Sequence, residues 1–186
     1  VELFDFQQKA LDNLRERQIK AQRRYREDEE KSIIPFTAPT GAGKTIIMSA
    51  FIEALYTGDS YQGAQNDAIV LWISDAPELN EQSKAKLYKV ADKLWNRTVV
   101  TIDEHSFKAN KLQLGTIYYV NTQKFGANSN LVKYSDERNY TGWDFMRNTI
   151  EEYGDKLIVI IDEAHRGAKP NEMGAQMSIM QKFILG

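Results

Sequence analysis

The run Thr37-Ala38-Pro39-Thr40-Gly41-Ala42-Gly43-Lys44-Thr45 sets two glycines, a lysine and a hydroxyl within five positions. Glycine permits backbone turns that other residues resist, so the N–H groups of Thr40, Gly41, Ala42 and Gly43 can converge on one anion. A helix opening at Lys44 adds its positive end to that cradle. This is the chemistry of a phosphate loop. Lys44 reaches the β- and γ-phosphates of a nucleotide, and the Thr45 hydroxyl binds Mg²⁺, which prefers oxygen ligands in phosphate company. The first glycine of the general G-x-x-x-x-G-K-T pattern is Ala38 here, and a glycine-rich turn with an exposed lysine is the plain alternative.

A second set of groups lies far along the chain, in Leu157-Ile158-Val159-Ile160-Ile161-Asp162-Glu163-Ala164-His165. Five apolar residues ending in two acids read as a central strand that delivers carboxylates to its carboxyl end. Asp162 is expected to hold Mg²⁺ and Glu163 to orient and deprotonate an attacking water. Taken alone, such a pair is a strand terminus with solvated charges; next to a phosphate cradle it reads as the hydrolytic half of one site. Val99-Val100-Thr101-Ile102-Asp103-Glu104-His105 imitates it, but its apolar run is shorter and no alanine separates Glu104 from His105. That segment reads as a strand end followed by a loop.

These groups need elements to hold them. Leu3, Phe6, Ala10, Leu11 and Leu14 recur at three and four, so an amino-terminal helix is expected over 1–31. Short apolar runs follow at Ile33 to Ala38, Ala68 to Ile73, Thr98 to Ile102, Thr116 to Val120 and Leu157 to Ile161. Runs of this kind suit strands buried on both faces. Helical stretches are expected at 45–57, 78–95, 142–153 and 172–184, giving a three-layer α/β fold with a mostly parallel central sheet. Gly58 to Asp67 and Asn121 to Gly142 read as polar loops. Arg15 to Arg26 contains Arg15, Arg17, Lys20, Arg23, Arg24 and Arg26 beside the acidic run Glu27 to Glu30, which reads as a solvated helix face with local charge pairing, a nucleic-acid-binding arm being the rival.

With 186 residues, 42% of them hydrophobic and 27% charged, the chain has the make-up of one globular domain and not of a disordered or fibrous protein. It has no cysteine, which excludes a disulfide framework, a thiolate zinc site and a cysteine nucleophile. The net charge of −2 provides no general attraction for nucleic acid, so any such contact must come from local patches and backbone amides. No stretch has the roughly 18 apolar residues of a membrane helix, and the expected setting is cytoplasmic.

Taken together these residues resemble the superfamily 2 helicases and translocases, most closely the motor subunits of type III and type I restriction enzymes. Ala38 to Thr45 (APTGAGKT) is similar to that superfamily's cradle, in which alanine comes first, and Asp162 to His165 (DEAH) with Arg166 looks like its second motif. The resemblance implies a P-loop, RecA-like fold, ATP and Mg²⁺ as ligands, Glu163 and Lys44 as catalytic groups, and His165 as a coupling residue. Phe6-Gln7-Gln8-Lys9-Ala10 resembles the glutamine motif, in which Gln7 reads the adenine edge; the alternative is a surface glutamine. Glu78 to Gln82 and Val120 to Lys124 are similar to stretches that touch the nucleic-acid backbone, which implies contacts from Gln82, Asn121, Thr122, Gln123 and Lys124. Pro77 stands where many relatives have an arginine.

The resemblance further implies that 1–186 is a single first RecA-like domain ending before the third motif, with low turnover by itself. It implies double-stranded DNA and a methyltransferase modification subunit as partners, with the type III motor as the leading reading. The alternatives are a type I motor, another P-loop ATPase, or a nucleotide-gated binding module with little turnover.

Overall fold

The computed structural model describes residues 2–103, 109–126, 129–134 and 140–162. Within them the chain runs through α1 (Asp5–Asp28), α2 (Lys44–Thr57), β1 (Ile69–Ser74), α3 (Pro77–Val90), β2 (Val99–Thr101), β3 (Ile117–Asn121), α4 (Gly142–Tyr153) and β4 (Leu157–Ile161). The four strands are all parallel in the order β2-β3-β1-β4. The apolar runs of β1 and β3 explain why these two are central: every residue of each is buried, as expected of strands covered on both faces.

Strand alternation divides the core in two. Val70, Trp72, Ile117 and Tyr119 face Leu11 and Leu14 of α1, Phe51, Ile52 and Leu55 of α2, and Leu87 of α3, with Ile158 and Ile160 packed at the margin. On the other face Leu71, Ile73, Tyr118 and Val120 meet Phe145 and Met146 of α4. Three layers result, with α1, α2 and α3 on one side of the sheet and α4 on the other. The start of α4 is fixed by Thr141, whose hydroxyl oxygen accepts from the Asp144 N–H while the Asp144 carboxylate accepts from the Thr141 N–H. That hydrogen bonding holds the Asp144 carboxyl below its ordinary range.

One expected strand is not in the sheet. Residues 33–38 form no strand, and among the described residues β4, expected as a central strand, stands instead at the sheet edge with Val159 36% exposed. Pro35 has no N–H to give a ladder, yet the segment keeps a strand's alternation: 34, 36 and 38 are half-buried and 33, 35 and 37 exposed. Ile34 and Phe36 pack on the same cluster as Ile158 and Ile160. Apolar packing therefore holds this stretch without a hydrogen-bond ladder. The helix expected over 78–95 stops at Val90, with a separate 3-10 turn at Asp92–Leu94. The helix expected at 172–184 lies outside the described residues.

Candidate functional site

The loop before α2 owes its shape to glycine. Gly41 and Gly43 have φ of 84° and 79°, and Gly43 is the residue that caps α2. Both values are strained for residues with a side chain. The two positions differ in their surroundings. A Cβ at Gly43 would lie 2.7 Å from the Gln7 side-chain nitrogen, whereas one at Gly41 would meet nothing within 4 Å. Gly43 is thus packed against α1, and Gly41 leaves one side of the loop open. The Ala42 N–H donates to the Pro39 carbonyl at 3.1 Å, so that amide serves the turn.

Gln7 joins the two ends of the site. Its Nε2 donates to the Ala42 carbonyl at 3.1 Å, across 35 residues, while its Oε1 accepts from the Phe4 N–H at 3.1 Å. It is buried, unlike the surface glutamine that the sequence alone allowed. Beside it Phe4 and Phe6 are exposed and stacked, with ring centroids 6.0 Å apart and planes 10° from parallel. Phe6 belongs both to the helix period and to the glutamine motif, whereas Phe4 is signalled in the sequence only by its i, i+2 spacing to Phe6.

Asp162 follows directly on β4. Its N–H donates to the Ile73 carbonyl at 2.9 Å and so extends the ladder by one step. Ile161 is level with Ile73, and Ile73 with Val120, which places Asp162, Ser74 and Asn121 in the next row across three strands at the carboxyl end of the sheet. Glu163 and His165 lie outside the described residues. Of the expected nucleic-acid contacts, Gln82 and Gln123 are exposed and Lys124 is half-buried, while Asn121 and Thr122 are buried. The Thr122 hydroxyl donates to Asp75 at 3.3 Å, and the buried side-chain oxygens of Asn80 and Asn121 have no hydrogen-bond partner among the described residues.

The seat of α1 is a feature that the sequence reading did not find. Arg15 is buried, with its Nε 2.6 Å from an Asp59 oxygen and its Nη1 donating to Gln18 at 2.5 Å. Gln18 donates to Gln22, which donates to Gln65 and to the Asp155 carbonyl at 2.9 and 3.1 Å. The signal lay in the helix period: Arg15 comes four residues after Leu11, on the same inward stripe.

A glycine-shaped loop opening a helix, with an acid at the carboxyl end of a parallel strand, defines a P-loop nucleotide-binding α/β protein of the RecA-like kind. The family model for the type III restriction enzyme res subunit matches residues 1–186, and the chain belongs to that family. It is an ATP-binding, helicase-like domain of a type III restriction res subunit. No curated protein and no solved structure matches it. ATPase and helicase-type activity goes with the full-length members of the family, which generally use ATP with Mg²⁺. Among the described residues no helix is long and apolar enough to cross a membrane.

Proposed function

We propose that residues 1–186 are the ATP-binding half of a DNA translocase that works with a methyltransferase subunit, and that Gln7, the loop at 40–45 and the acids after β4 form its nucleotide site. The observation that carries this reading is the hydrogen bond from Gln7 to the Ala42 carbonyl. It sets a base-reading amide on the backbone that cradles phosphate. The donor set fits a nucleotide with Mg²⁺: amides at the start of α2 that have no partner within the helix, the Lys44 cation, the Thr45 hydroxyl and the Asp162 carboxylate. Ile158 and Ile160 point to the face on which α2 packs, and continued alternation turns Asp162 the same way.

In this reading Thr40, Gly41 and Gly43 bind phosphate oxygens through their amides, the Ala42 amide joins them by leaving the Pro39 carbonyl, Lys44 neutralises β- and γ-phosphate charge, and Thr45 with Asp162 holds Mg²⁺. The metal supplies charge neutralisation on the phosphates. Glu163 takes the proton of the attacking water, and His165 couples the site to nucleic-acid contacts at Gln82 and 121–124. The exposed Phe4–Phe6 stack offers an apolar face for the base. Each end of the Gln7 amide makes one hydrogen bond to the protein, and the second Nε2–H and the second lone pair of Oε1 are the groups with which it would read the base. The buried Asn121 and Thr122 would then contribute backbone groups rather than side chains to a DNA track.

Gln7→Ala should lose about three- to tenfold in preference for ATP over GTP, the worth of one hydrogen bond. Competition between the two nucleotides for a fluorescent ATP analogue measures it. Equal affinities for ATP and GTP in the native chain would remove Gln7 from the site. Lys124→Ala should weaken binding of a short DNA duplex, read by anisotropy, and an unchanged affinity would move the track away from 121–124.

A further inference from the structure

The structure sorts the six cations of the 15–26 segment into two groups. Arg15 is held by Asp59, Arg24 by Glu30 at 2.6 Å and Arg26 by Asp155 at 3.1 Å. Arg17, Lys20 and Arg23 are exposed, and no described residue pairs with them. At about 100° per residue, Arg17, Lys20 and Arg24 fall within roughly 60° of one another on α1, on the side opposite the inward stripe of Arg15, Gln18 and Gln22. Residues 32–34 lie against Arg17, Lys20 and Arg24. Together they line a cleft of about 220 Å³ whose other wall includes Ser32 and Ile33, the latter 62% exposed.

From these observations we infer that the cleft between α1 and residues 32–34 binds the phosphodiester backbone of duplex DNA, as a contact separate from the motor track. Three residues spread over seven positions of a helix span roughly 10 Å along its axis. A DNA strand presents a charge about every 3.4 Å of axis, so the strip runs along about three phosphate steps of one strand. Ser32 adds a hydroxyl donor, and Ile33 an apolar face against the sugar. Lys20 is thirteen residues from Gln7, roughly 20 Å along α1, which separates the cleft from the nucleotide loop. The chain's net charge of −2 gives no general field, so a polyanion would meet the local strip, in which Arg17 and Lys20 make no ion pair with a described residue and Arg24 is shared with Glu30. The inference rests on the reading that this chain acts on DNA.

The test is anisotropy of a labelled duplex of arbitrary sequence with the whole 186-residue chain, between 50 and 200 mM salt. Each phosphate contact contributes about 0.9 to the slope of log affinity against log salt. Arg17→Ala with Lys20→Ala should lower that slope by about two, so that affinity falls about tenfold less over this fourfold change of salt than in the native chain. The effect should be the same for unrelated DNA sequences, and binding of MgATP should be retained, which reports an intact fold. Unchanged slope and affinity in the double variant would overturn the inference, and so would an undetectable affinity of the native chain for duplex. If polyglutamate binds the native chain with this slope and loses it in the double variant while DNA does not, the cleft belongs to an acidic protein partner instead. A slope lost in Lys124→Ala but kept in the double variant would reject the cleft and leave the motor track standing.

Discussion

Lys44→Ala should bind MgATP about 10- to 100-fold more weakly than the native chain, with its thermal midpoint almost unchanged. The size follows from the chemistry: a charge-assisted hydrogen bond is worth about 1.5–3 kcal/mol, and each 1.4 kcal/mol is tenfold in affinity. Lys44 is the first residue of α2, where four backbone amides have no partner inside the helix. Removing the cation therefore leaves the amides and Thr45, which retain part of the affinity. The fold does not depend on this side chain, because α2 is held by Ile47, Phe51, Ile52 and Leu55. Lys44→Arg restores charge but not shape, since a planar fork replaces a compact ammonium, and it should recover less than half of the lost binding energy. Titration of a fluorescent ATP analogue decides the matter. Equal binding by the native and Lys44→Ala chains would take the phosphate cradle out of the account.

The parts of this site that could be read from the sequence are those fixed by local geometry. Glycines at 41 and 43 ahead of Lys44 demand a left-handed turn and a helix start, and both are present. Leu157 to Ile161 is an uninterrupted apolar run, and it forms β4 with the bounds expected of it. What could not be read were relations between distant segments. Spacing places Gln7 on a helix but says nothing of the Ala42 carbonyl 35 residues on. Residues 33–38 have the alternation of a strand, and alternation decides which side chains turn inward. Hydrogen-bond partners are a separate condition, and Pro35 forfeits one of them. The basic segment fails for a third reason: charge pattern cannot say which cation finds an acid from another part of the chain, and Arg15 found Asp59.

That pairing gives the second large effect. Arg15→Ala should destabilise the domain by about 2–3 kcal/mol, toward the lower end of the cost of breaking a buried ion pair, because Asp59 keeps 22% of its side chain in solvent. For a chain of this length each kcal/mol lowers the melting midpoint by about 2–4 °C, which makes the expected drop roughly 5–10 °C. The loss has three sources: an unpaired carboxylate, a Gln18 oxygen without its donor, and the packing of the guanidinium 5.9 Å from the Phe51 ring. The pH dependence gives the pair a signature. Burial pushes the Asp59 carboxyl up, but the Arg15 hydrogen bond and the Gln62 and Tyr61 amides outweigh it and hold the group below its ordinary value of 3.8. A depressed folded-state value means stabilisation that is complete above the unfolded value and lost as pH falls through the folded one. The difference in midpoint between native and Arg15→Ala chains should therefore be constant near neutrality and shrink below about pH 3.8. A gap that persists unchanged into acid would assign the loss to packing alone. Because the same helix carries Gln7 to the Ala42 carbonyl, loosening its seat should also weaken ATP binding as temperature rises, well before the domain melts. Arg15→Lys, which keeps one charge but not the fork to Asp59 and Gln18, should fall between the two.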